Sequence, residues 1–311
     1  MGDKINEKGR EKILKAGKIA AETREYAKNM IKLGMPLLEI AEKIESKILE
    51  LGKSDKAKPA FPTNLSINDI AAHYTPSHDD KSLASGLLKV DLGVHIEGFI
   101  ADTALSINLE EDKEKSKENS MLIEAAEKSL NEAIKIVEKN RGKTRANEIG
   151  SAIHHAIISY KGATPIINLS GHSIEEYELH SGITIPNIDD NRSTVLGEGV
   201  YAIEPFATNG NGKVYDGRPS GIYHLVRETN TRSPIARKVL NLILEEYRTL
   251  PFCSRWIVKK LGKESLLGLQ QLKQQGIIKE YEQLIESGHG IVAQAEHTLL
   301  IEKDKVTVTT K

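Results

Sequence analysis

The stretch LLKVDLGVHIEGFIADTALSI, residues 87–107, decides the fold of this chain and points to its chemistry. It is rich in β-prone residues and is broken once, by Glu97-Gly98, a two-residue signal for a hairpin turn. With that turn, Asp91 lies opposite Ala104, and Asp102 lies on the same face two residues along from Ala104. The two carboxylates are then diagonal neighbours, about 7 Å apart at the backbone.

Two like charges so close together inside a sheet repel each other and lose solvation, so they require something that neutralises them. A shared proton would serve, but a pair of divalent cations would serve better. The hairpin therefore predicts either a coupled pair of carboxylic acids or a metal site, and favours the metal site.

Composition excludes several classes of protein. The 311 residues carry a net charge of −1, which gives no sign of a polyanionic partner such as nucleic acid. The single cysteine, Cys253, excludes an intrachain disulfide and fits a reducing compartment. The N-terminal segment lacks the apolar core of a signal peptide, and no apolar run approaches the ~18 residues of a membrane span. We expect a globular cytoplasmic protein, without membrane contact, that can act as a monomer.

The chain repeats one pattern in its two halves. Residues Glu39, Ile40, Ile44, Ile48 and Leu49 recur at a constant offset of 109 as Glu148, Ile149, Ile153, Ile157 and Ile158, and the tripeptide Asn-Leu-Ser follows each helix, at 64–66 and at 168–170. The shared order favours an internal duplication over a chance match. Two α/β halves that face each other would leave a cleft in which a site can form.

A different pattern separates the strand-like segments GEGVYAIEPF and AQAEHTLLIE. Three short helices predict a compact, winged-helix-like insert, which we place at 226–285, with 1–225 and 286–311 forming the catalytic domain. Its basic excess is mild and dispersed, which argues against DNA binding. The glycine-rich stretch 208–221 lacks the ending of a phosphate loop, and we interpret it as a flexible connection.

The second half supplies further residues that bind metals. A dinuclear site needs carboxylates that bridge both ions, plus terminal ligands such as histidine. His172, Glu204 and Glu296 offer these groups, and both glutamates are flanked by apolar residues, where an unpaired carboxylate is costly. Taken singly, each is better explained by a separate salt bridge or an exposed strand position. Taken with Asp91 and Asp102, they favour one metal centre.

These residues fall within motifs that resemble methionine aminopeptidases of type 2, in the short form seen in archaea. The resemblance covers nearly the whole chain and rests on FPT at 61–63, AAHYTP at 71–76, DLG at 91–93 with Asp102, GHSI at 171–174 with His180, YAIE at 201–204 and AQAEHT at 293–298. It implies an α/β (α+β) pita-bread fold of pseudo-two-fold symmetry with a helical, winged-helix-like insertion, in agreement with the duplication.

The resemblance also implies a set of metal ligands. Asp102 and Glu296 are expected to bridge two divalent ions, Asp91 to bind one of them, and His172 with Glu204 to bind the other. Four carboxylates against two divalent ions leave the site neutral before a hydroxide binds. The ligand types do not choose among cobalt, manganese, iron and zinc.

The remaining implied roles concern the substrate, which is the N-terminus of a nascent protein with a small second residue, met in the cytoplasm and near the ribosome. The metal-activated water attacks the first peptide carbonyl, and Glu204 passes its proton to the leaving amine. His180 is expected to stabilise the carbonyl oxygen as it gains charge, and His73 to contact the scissile amide nitrogen. Phe61 lines the methionine pocket, and His224 lies close to it.

Two other functions compete with this one. A non-catalytic protein of the same fold would bind a partner or nucleic acid through the insert, but such relatives usually lose ligands, and all five are present here. A proline-specific dipeptidase is expected to carry an extra N-terminal domain, for which no room exists before Asp91. Of the other histidines, His95 faces the side of Asp91, His297 faces away from the metals, and His154 with His155 are expected to be structural.

Overall fold

The computed structural model describes residues 6–140, 143–191 and 193–311. Its helices are α1 Glu7–Met30, α2 Leu37–Leu51, α3 Lys113–Asn140, α4 Ala146–Ile158, α5 Pro234–Glu246, α6 Ser254–Leu261 and α7 Ser265–Gln274. The strands of the first half are β1 Lys58–Pro59, β2 Asn64–Ile67, β3 Ile70–Ala72, β4 Gly86–Ile96 and β5 Phe99–Leu109. Those of the second half are β6 Thr164–Pro165, β7 Ser170–Ile174, β8 Thr184–Pro186, β9 Gly199–Ile203, β10 Phe206–Thr208, β11 Val214–Leu225, β12 Phe252–Cys253, β13 Ile278–Glu286, β14 Val292–Gln294, β15 Glu296–Ile301 and β16 Val306–Val308.

The two halves repeat the same order of elements. A long helix and a shorter one precede a group of strands in each half, and the shorter helices begin at Leu37 and Ala146, 109 positions apart as in the sequence repeat. The apolar face of α2 is fully buried at Ile40, Ile44 and Ile48. Helices α1 and α2 cover one half of the central sheet and α3 with α4 cover the other, each pair with its own apolar core.

The central sheet has nine strands, and its main path runs β1-β4-β5-β15-β9-β7-β8, with β2 paired to β4 and β16 to β15. The predicted hairpin is confirmed in detail, since Ile96 pairs with Phe99 and Asp91 with Ala104. Strand β5 of the first half pairs with β15 of the second, so the two halves join at the middle of the sheet. Residues that arrive from opposite ends of the chain therefore meet there.

In the second half, two consecutive pairs of antiparallel strands have the same register. Ile203 pairs with His297 in β9 and β15, and Phe206 pairs with Gln294 in β10 and β14. The two pairs belong to separate sheets but share one register, and Glu204-Pro205 lies between them. Because proline has no N–H to donate, it ends the first strand and leaves Glu204 between the two. The continued register places Glu204 opposite Glu296.

The segment between β10 and β14 contains the three predicted helices, α5 to α7, which pack around their own apolar core. A second sheet, in the order β12-β11-β13-β3, connects them to the first half. The predicted end of the insert, at 285, falls inside β13. No helix that the structure describes is both long and apolar enough to cross a membrane.

The interpretation of the glycine-rich stretch 208–221 as a flexible connection is wrong. Most of it forms β11, which pairs along much of its length with β13. The turn before β11 is fixed by the fully buried carboxylate of Glu286, which accepts hydrogen bonds from the backbone N–H groups of Gly212 (2.9 Å), Gly288 (2.7 Å) and Gly290 (2.9 Å).

Candidate metal centre

Three carboxylates and one amide lie in a single row across the central sheet. Asn64 pairs with Asp91, Asp91 with Ala104, and Ala104 with Glu296. The continued register adds Glu204 opposite Glu296. Directly paired residues in antiparallel strands project to the same face, so these polar side chains all point to one side. Ala104 contributes only a methyl group to the middle of the row.

Asp102 and His172 complete the group from positions two residues away from this row. Asp102 precedes Ala104 by two residues, and His172 pairs with Ala202, two residues before Glu204. The Nε2 atom of His172 lies 3.8 Å from Oδ2 of Asp102 and 4.0 Å from Oε1 of Glu204. One ligand atom from each of Asp102, His172 and Glu296 falls within 4.8 Å of the others, and all three residues are buried.

Burial makes this group costly when it is charged. Burial raises the pKa of Asp91 to about 7, and hydrogen bonds from Gln294 and Asp102 oppose that shift. Burial also raises the pKa values of Asp102, Glu204 and Glu296 well above their ordinary range, and repulsion among the carboxylates adds to each shift. Burial lowers the pKa of His172 to about 3, so its imidazole is neutral and can act as a ligand.

The residues present fit bound divalent cations. In the described part of the chain, no lysine or arginine is paired with any of the four carboxylates. Oδ1 of Asp91, Oδ1 of Asp102 and Oε1 of Glu296 are buried and have no hydrogen-bond partner among the described atoms. Buried carboxylate oxygens without partners are rare unless an ion or water satisfies them. Carboxylates and a neutral imidazole form the donor set of a transition-metal site.

A cleft over the carboxylates brings in the residues predicted to act on the substrate. Phe61, His73 and His180 line it together with the five candidate ligands and Tyr281. His180 packs edge-on against His172, with ring centroids 4.3 Å apart. His224 is not among the lining residues, but its ring lies 4.8 Å from that of Tyr281. All the residues predicted from the sequence therefore converge on one region.

The protonation states of two histidines of the cleft follow from their surroundings. Burial lowers the pKa of His73 and lowers that of His180 to about 4, so both rings are neutral near pH 7. The Nδ1 atom of His73 lies 3.1 Å from the carbonyl oxygen of Glu282. A carbonyl only accepts hydrogen bonds, so Nδ1 carries the proton and Nε2 is left as an acceptor.

Phe61 is held by close packing against the metal-ligand hairpin. Gly93 lies between the two aspartates in sequence and pairs directly with Asp102. A Cβ atom at Gly93 would lie 2.3 Å from Cε1 of Phe61, a distance that no real contact shows. The glycine of the Asp-Leu-Gly motif is therefore required for the phenyl ring to rest on the hairpin beside the carboxylates.

The other four histidines considered from the sequence lie outside the site. His297 projects to the opposite face of the sheet, where its Nδ1 contacts Thr310 Oγ1 at 2.9 Å and Arg24 at 3.0 Å. His95 accepts a hydrogen bond from the Gly98 backbone at 3.1 Å and is no part of the cleft lining. His154 and His155 stack on each other in α4, away from the carboxylates.

Sequence reasoning did not single out three polar residues of the site. Gln294 donates a hydrogen bond from Nε2 to Oε2 of Glu204, at 3.0 Å. Asn64 and Tyr281 both line the cleft, and Oδ1 of Asn64 is buried without a described partner. The signal for Gln294 was available, because it lies two residues before Glu296 and so faces the same side. Asn64 and Tyr281 depend on long-range strand pairing and carry no local signal.

Comparison with known proteins agrees with this geometry. The sequence pattern of the family described as "Metallopeptidase family M24" matches residues 11–303. The chain belongs to metallopeptidase family M24. A methionine aminopeptidase from Pyrococcus horikoshii is 46% identical over 306 residues, which span 97% of this chain and 99% of that protein. The resemblance to methionine aminopeptidases is thereby confirmed over nearly the full length.

Solved structures confirm the fold. A structure described as a thermophilic Arx1 superposes with a TM-score of 0.80 at 16% identity, covering 98% of this chain and 91% of that one. The methionine aminopeptidase of Thermotoga maritima superposes with a TM-score of 0.67 at 21% identity, and each chain is covered completely. The pita-bread fold that the resemblance implied is therefore the fold of this M24 member, which has a buried acidic and histidine group that can hold metal.

Proposed function

We propose that this M24 metallopeptidase is a metal-dependent aminopeptidase that removes the initiator methionine from nascent proteins. The observation that carries the proposal is the buried group of four carboxylates and His172, with three unpartnered carboxylate oxygens, at the floor of a cleft lined by Phe61, His73 and His180. The 46% identity to a methionine aminopeptidase over 97% of the chain supports it.

Two divalent ions would be held by the five candidate ligands. Asp102 and Glu296 are proposed to bridge them, Asp91 to bind one, and His172 with Glu204 to bind the other. Cobalt, manganese, iron and zinc all suit this donor set. When bound, such ions polarise a carbonyl and lower the pKa of a coordinated water.

Glu204 is the proposed proton carrier. Glu204 lines the cleft beside the other candidate ligands, so its carboxylate is placed to accept a proton from a water in the site. It would take a proton from the attacking water and pass it to the amine that leaves. The hydrogen bond from Gln294 fixes one carboxylate oxygen and leaves the other to move the proton.

The histidines are proposed to handle the peptide. His73 offers Nε2 as an acceptor, because its Nδ1 is bound to the Glu282 carbonyl, and an acceptor is what the N–H of the scissile amide requires. His180 is neutral and keeps one N–H, which can donate to the carbonyl oxygen as negative charge develops. Phe61 and the nearby His224 would contact the methionine side chain.

A peptidase assay tests the function directly. The purified protein, stripped with a chelator and then reloaded with one divalent metal at a time, is given Met-Ala-Ser and Met-Lys-Ser. We expect methionine release from Met-Ala-Ser that disappears on chelation and returns with metal, and little release from Met-Lys-Ser, because a large second residue clashes where the chain leaves the site. Activity that survives complete chelation, or that ignores the second residue, would refute the proposal.

The variant His180→Ala tests the division between ligands and substrate contacts. Loss of one hydrogen-bond donor to a developing oxyanion typically lowers kcat by about 10²-fold to 10³-fold, and we expect a decrease of that order. Metal content, measured by atomic absorption after dialysis, should equal that of the parent protein. A variant that loses metal would show that His180 is a ligand and that the oxyanion role is misassigned.

The finer assignments belong to the same proposal. The catalytic domain would comprise 1–225 and 286–311, and 226–285 would be the insert. We further propose that the protein acts as a monomer in the cytoplasm on nascent chains near the ribosome. The separate core of helices α5 to α7 supports the insert as a unit.

A further inference from the structure

A buried ion pair connects the helical insert to the first half of the chain. Arg255, in the first turn of α6, is 3% exposed, and Glu45, in α2, is 8% exposed. The guanidinium binds the carboxylate with both of its terminal nitrogens, Nη1 to Oε2 at 2.7 Å and Nη2 to Oε1 at 2.8 Å. Such two-point geometry fixes the orientation as well as the distance of the partners.

The pair also holds two chain segments that belong to neither helix. Oε1 of Glu45 accepts a hydrogen bond from the backbone N–H of Thr63 at 3.3 Å. Nε of Arg255 donates to the carbonyl oxygen of Pro76 at 3.1 Å, and its Nη2 lies 3.4 Å from Oγ1 of Thr75. Thr75 Oγ1 in turn donates to the carbonyl oxygen of Thr63 at 2.9 Å. Both backbone groups of Thr63 are therefore fixed by this network.

Each held segment carries one of the residues proposed to contact the substrate. Phe61 lies two residues before Thr63, and His73 lies two residues before Thr75. His73 has a φ of +63°, a left-handed conformation that a non-glycine residue keeps only where its surroundings enforce it. Only one residue separates each threonine from the side chain that lines the cleft, so we expect a shift at Thr63 or Thr75 to displace Phe61 or His73.

We propose that Arg255 and Glu45 are positioning residues, which set the placement of Phe61 and His73 over the candidate metal centre. The insert then contributes to catalysis through this buried guanidinium, in addition to Tyr281, which lines the cleft, and the Glu282 carbonyl, which binds His73. This inference rests on the proposed function, because it concerns the residues that would bind methionine and the scissile amide.

A second ion pair between the same two parts of the molecule provides a matched control. Lys58, in β1, lies 3.0 Å from Glu246 at the end of α5, and their side chains are 48% and 33% exposed. This pair also joins the insert to the first half, but it has no hydrogen bond to the segments at 61–63 or 73–76 among the described residues. The two pairs therefore differ in the feature that the proposal invokes.

The test compares two double variants, Glu45→Met/Arg255→Met and Lys58→Met/Glu246→Met, in the full-length metal-loaded protein. Removing both charges of a buried pair avoids leaving one charge unpaired in the interior. We expect the first variant to keep the parent's metal content but to lose about 30-fold in kcat/KM for Met-Ala-Ser, since a displacement of about 1 Å can cost on the order of 10²-fold. We expect the control to stay within about twofold of the parent.

Two further readouts separate positioning from a merely structural role. The preference for Met-Ala-Ser over Leu-Ala-Ser should fall in the first variant, because Phe61 no longer shapes the pocket, and amide hydrogen exchange should accelerate in peptides covering 60–76. Arg255→Lys keeps the charge without the two-point contact, so its kcat/KM should lie between the parent and the double variant. If the double variant fails to fold, the Arg255→Lys variant alone decides whether Arg255 has a positioning role.

The outcomes are distinguishable. A parent protein that fails to cleave Met-Ala-Ser would refute the proposed function, whereas the exchange rates at 60–76 would still test the placement of the two segments. A folded Glu45→Met/Arg255→Met variant with parental kcat/KM, parental selectivity and unchanged exchange would overturn the positioning role. An Arg255→Lys variant that is indistinguishable from the parent in all three measurements would also overturn it. The same holds if the Lys58→Met/Glu246→Met control loses as much kcat/KM as the Glu45→Met/Arg255→Met variant.

Discussion

The Glu204→Gln variant is expected to release methionine from Met-Ala-Ser about 10³-fold more slowly than the parent protein, within the range that general acid–base residues contribute. Glutamine has nearly the same shape and can keep a hydrogen bond with Gln294, but it cannot take up and return a proton. The measurement is kcat under saturating substrate, together with the metal content of each preparation.

The control for this prediction is Glu198→Gln, which makes the same chemical change at an exposed position just before β9. It should leave kcat unaltered. A Glu204→Gln variant that retains its metal and the parental kcat would contradict the proton-transfer role. A variant whose kcat falls only in proportion to lost metal would reduce Glu204 to a ligand.

The Asp102→Asn variant is expected to be more stable than the parent protein when metal is removed, and less stable when metal is added. Burial and the charges of Asp91 and Glu204 raise the pKa of Asp102, so its ionised form is unfavourable in the metal-free fold. Removing that charge relieves repulsion, but it also removes a proposed bridging ligand. We expect the melting temperature at pH 8 in chelator to rise by roughly 5 °C, and the increase on adding metal to be mostly lost.

The same physics fixes the pH dependence of the metal-free parent. A carboxyl whose pKa is raised in the fold keeps a proton that the unfolded chain has already released, so the free energy of unfolding falls as pH rises between the two pKa values. For Asp91 that window runs from about 4, the ordinary value, to about 7, and its contribution over the whole window is on the order of 4 kcal/mol. Thermal melts in chelator at pH 5 and pH 8 measure it.

Asp304→Asn, on an exposed turn after β15, is the matched control for both measurements. It should change the melting temperature by less than about 1 °C in either condition, as expected for an exposed position without a special contact. A metal-free Asp102→Asn protein that melts well below the parent would show that the four carboxylates do not repel each other.

Local chemistry explains which parts of the site were predictable. Glu97-Gly98 sets a two-residue turn, and that turn fixes the register of Asp91 and Asp102 without any knowledge of the rest of the chain. The helices of the insert were equally readable from their own apolar spacing. The glycine-rich stretch 208–221 was misread because its partner, Glu286, lies in a distant segment that cannot be inferred from local composition. Glycine there serves close backbone hydrogen bonding, not flexibility.

The prediction of the second half of the site depended on the resemblance to a known family as much as on the sequence pattern. Glu204 and Glu296 are each unusual because their neighbours in sequence are apolar. The sequence around either residue does not predict that the two face each other. The Asn64 side chain and the Glu45–Arg255 contact escaped prediction for the same reason, since each joins elements far apart in sequence. All three arrangements depend on pairing between residues far apart in sequence, which no short stretch of the sequence reveals.

The shared register of β9, β10, β14 and β15 has a consequence for the order in which the molecule folds. Asp91 and Asp102 are joined by a short hairpin, whereas Glu204 and Glu296, which the shared register places opposite each other, are 92 positions apart. Closing the longer loop costs about 2 kcal/mol more in chain entropy. Contacts of long sequence separation also form slowly. We therefore expect the first pair of carboxylates to be assembled early, and full metal affinity to appear only after the insert has folded and brought the second pair together.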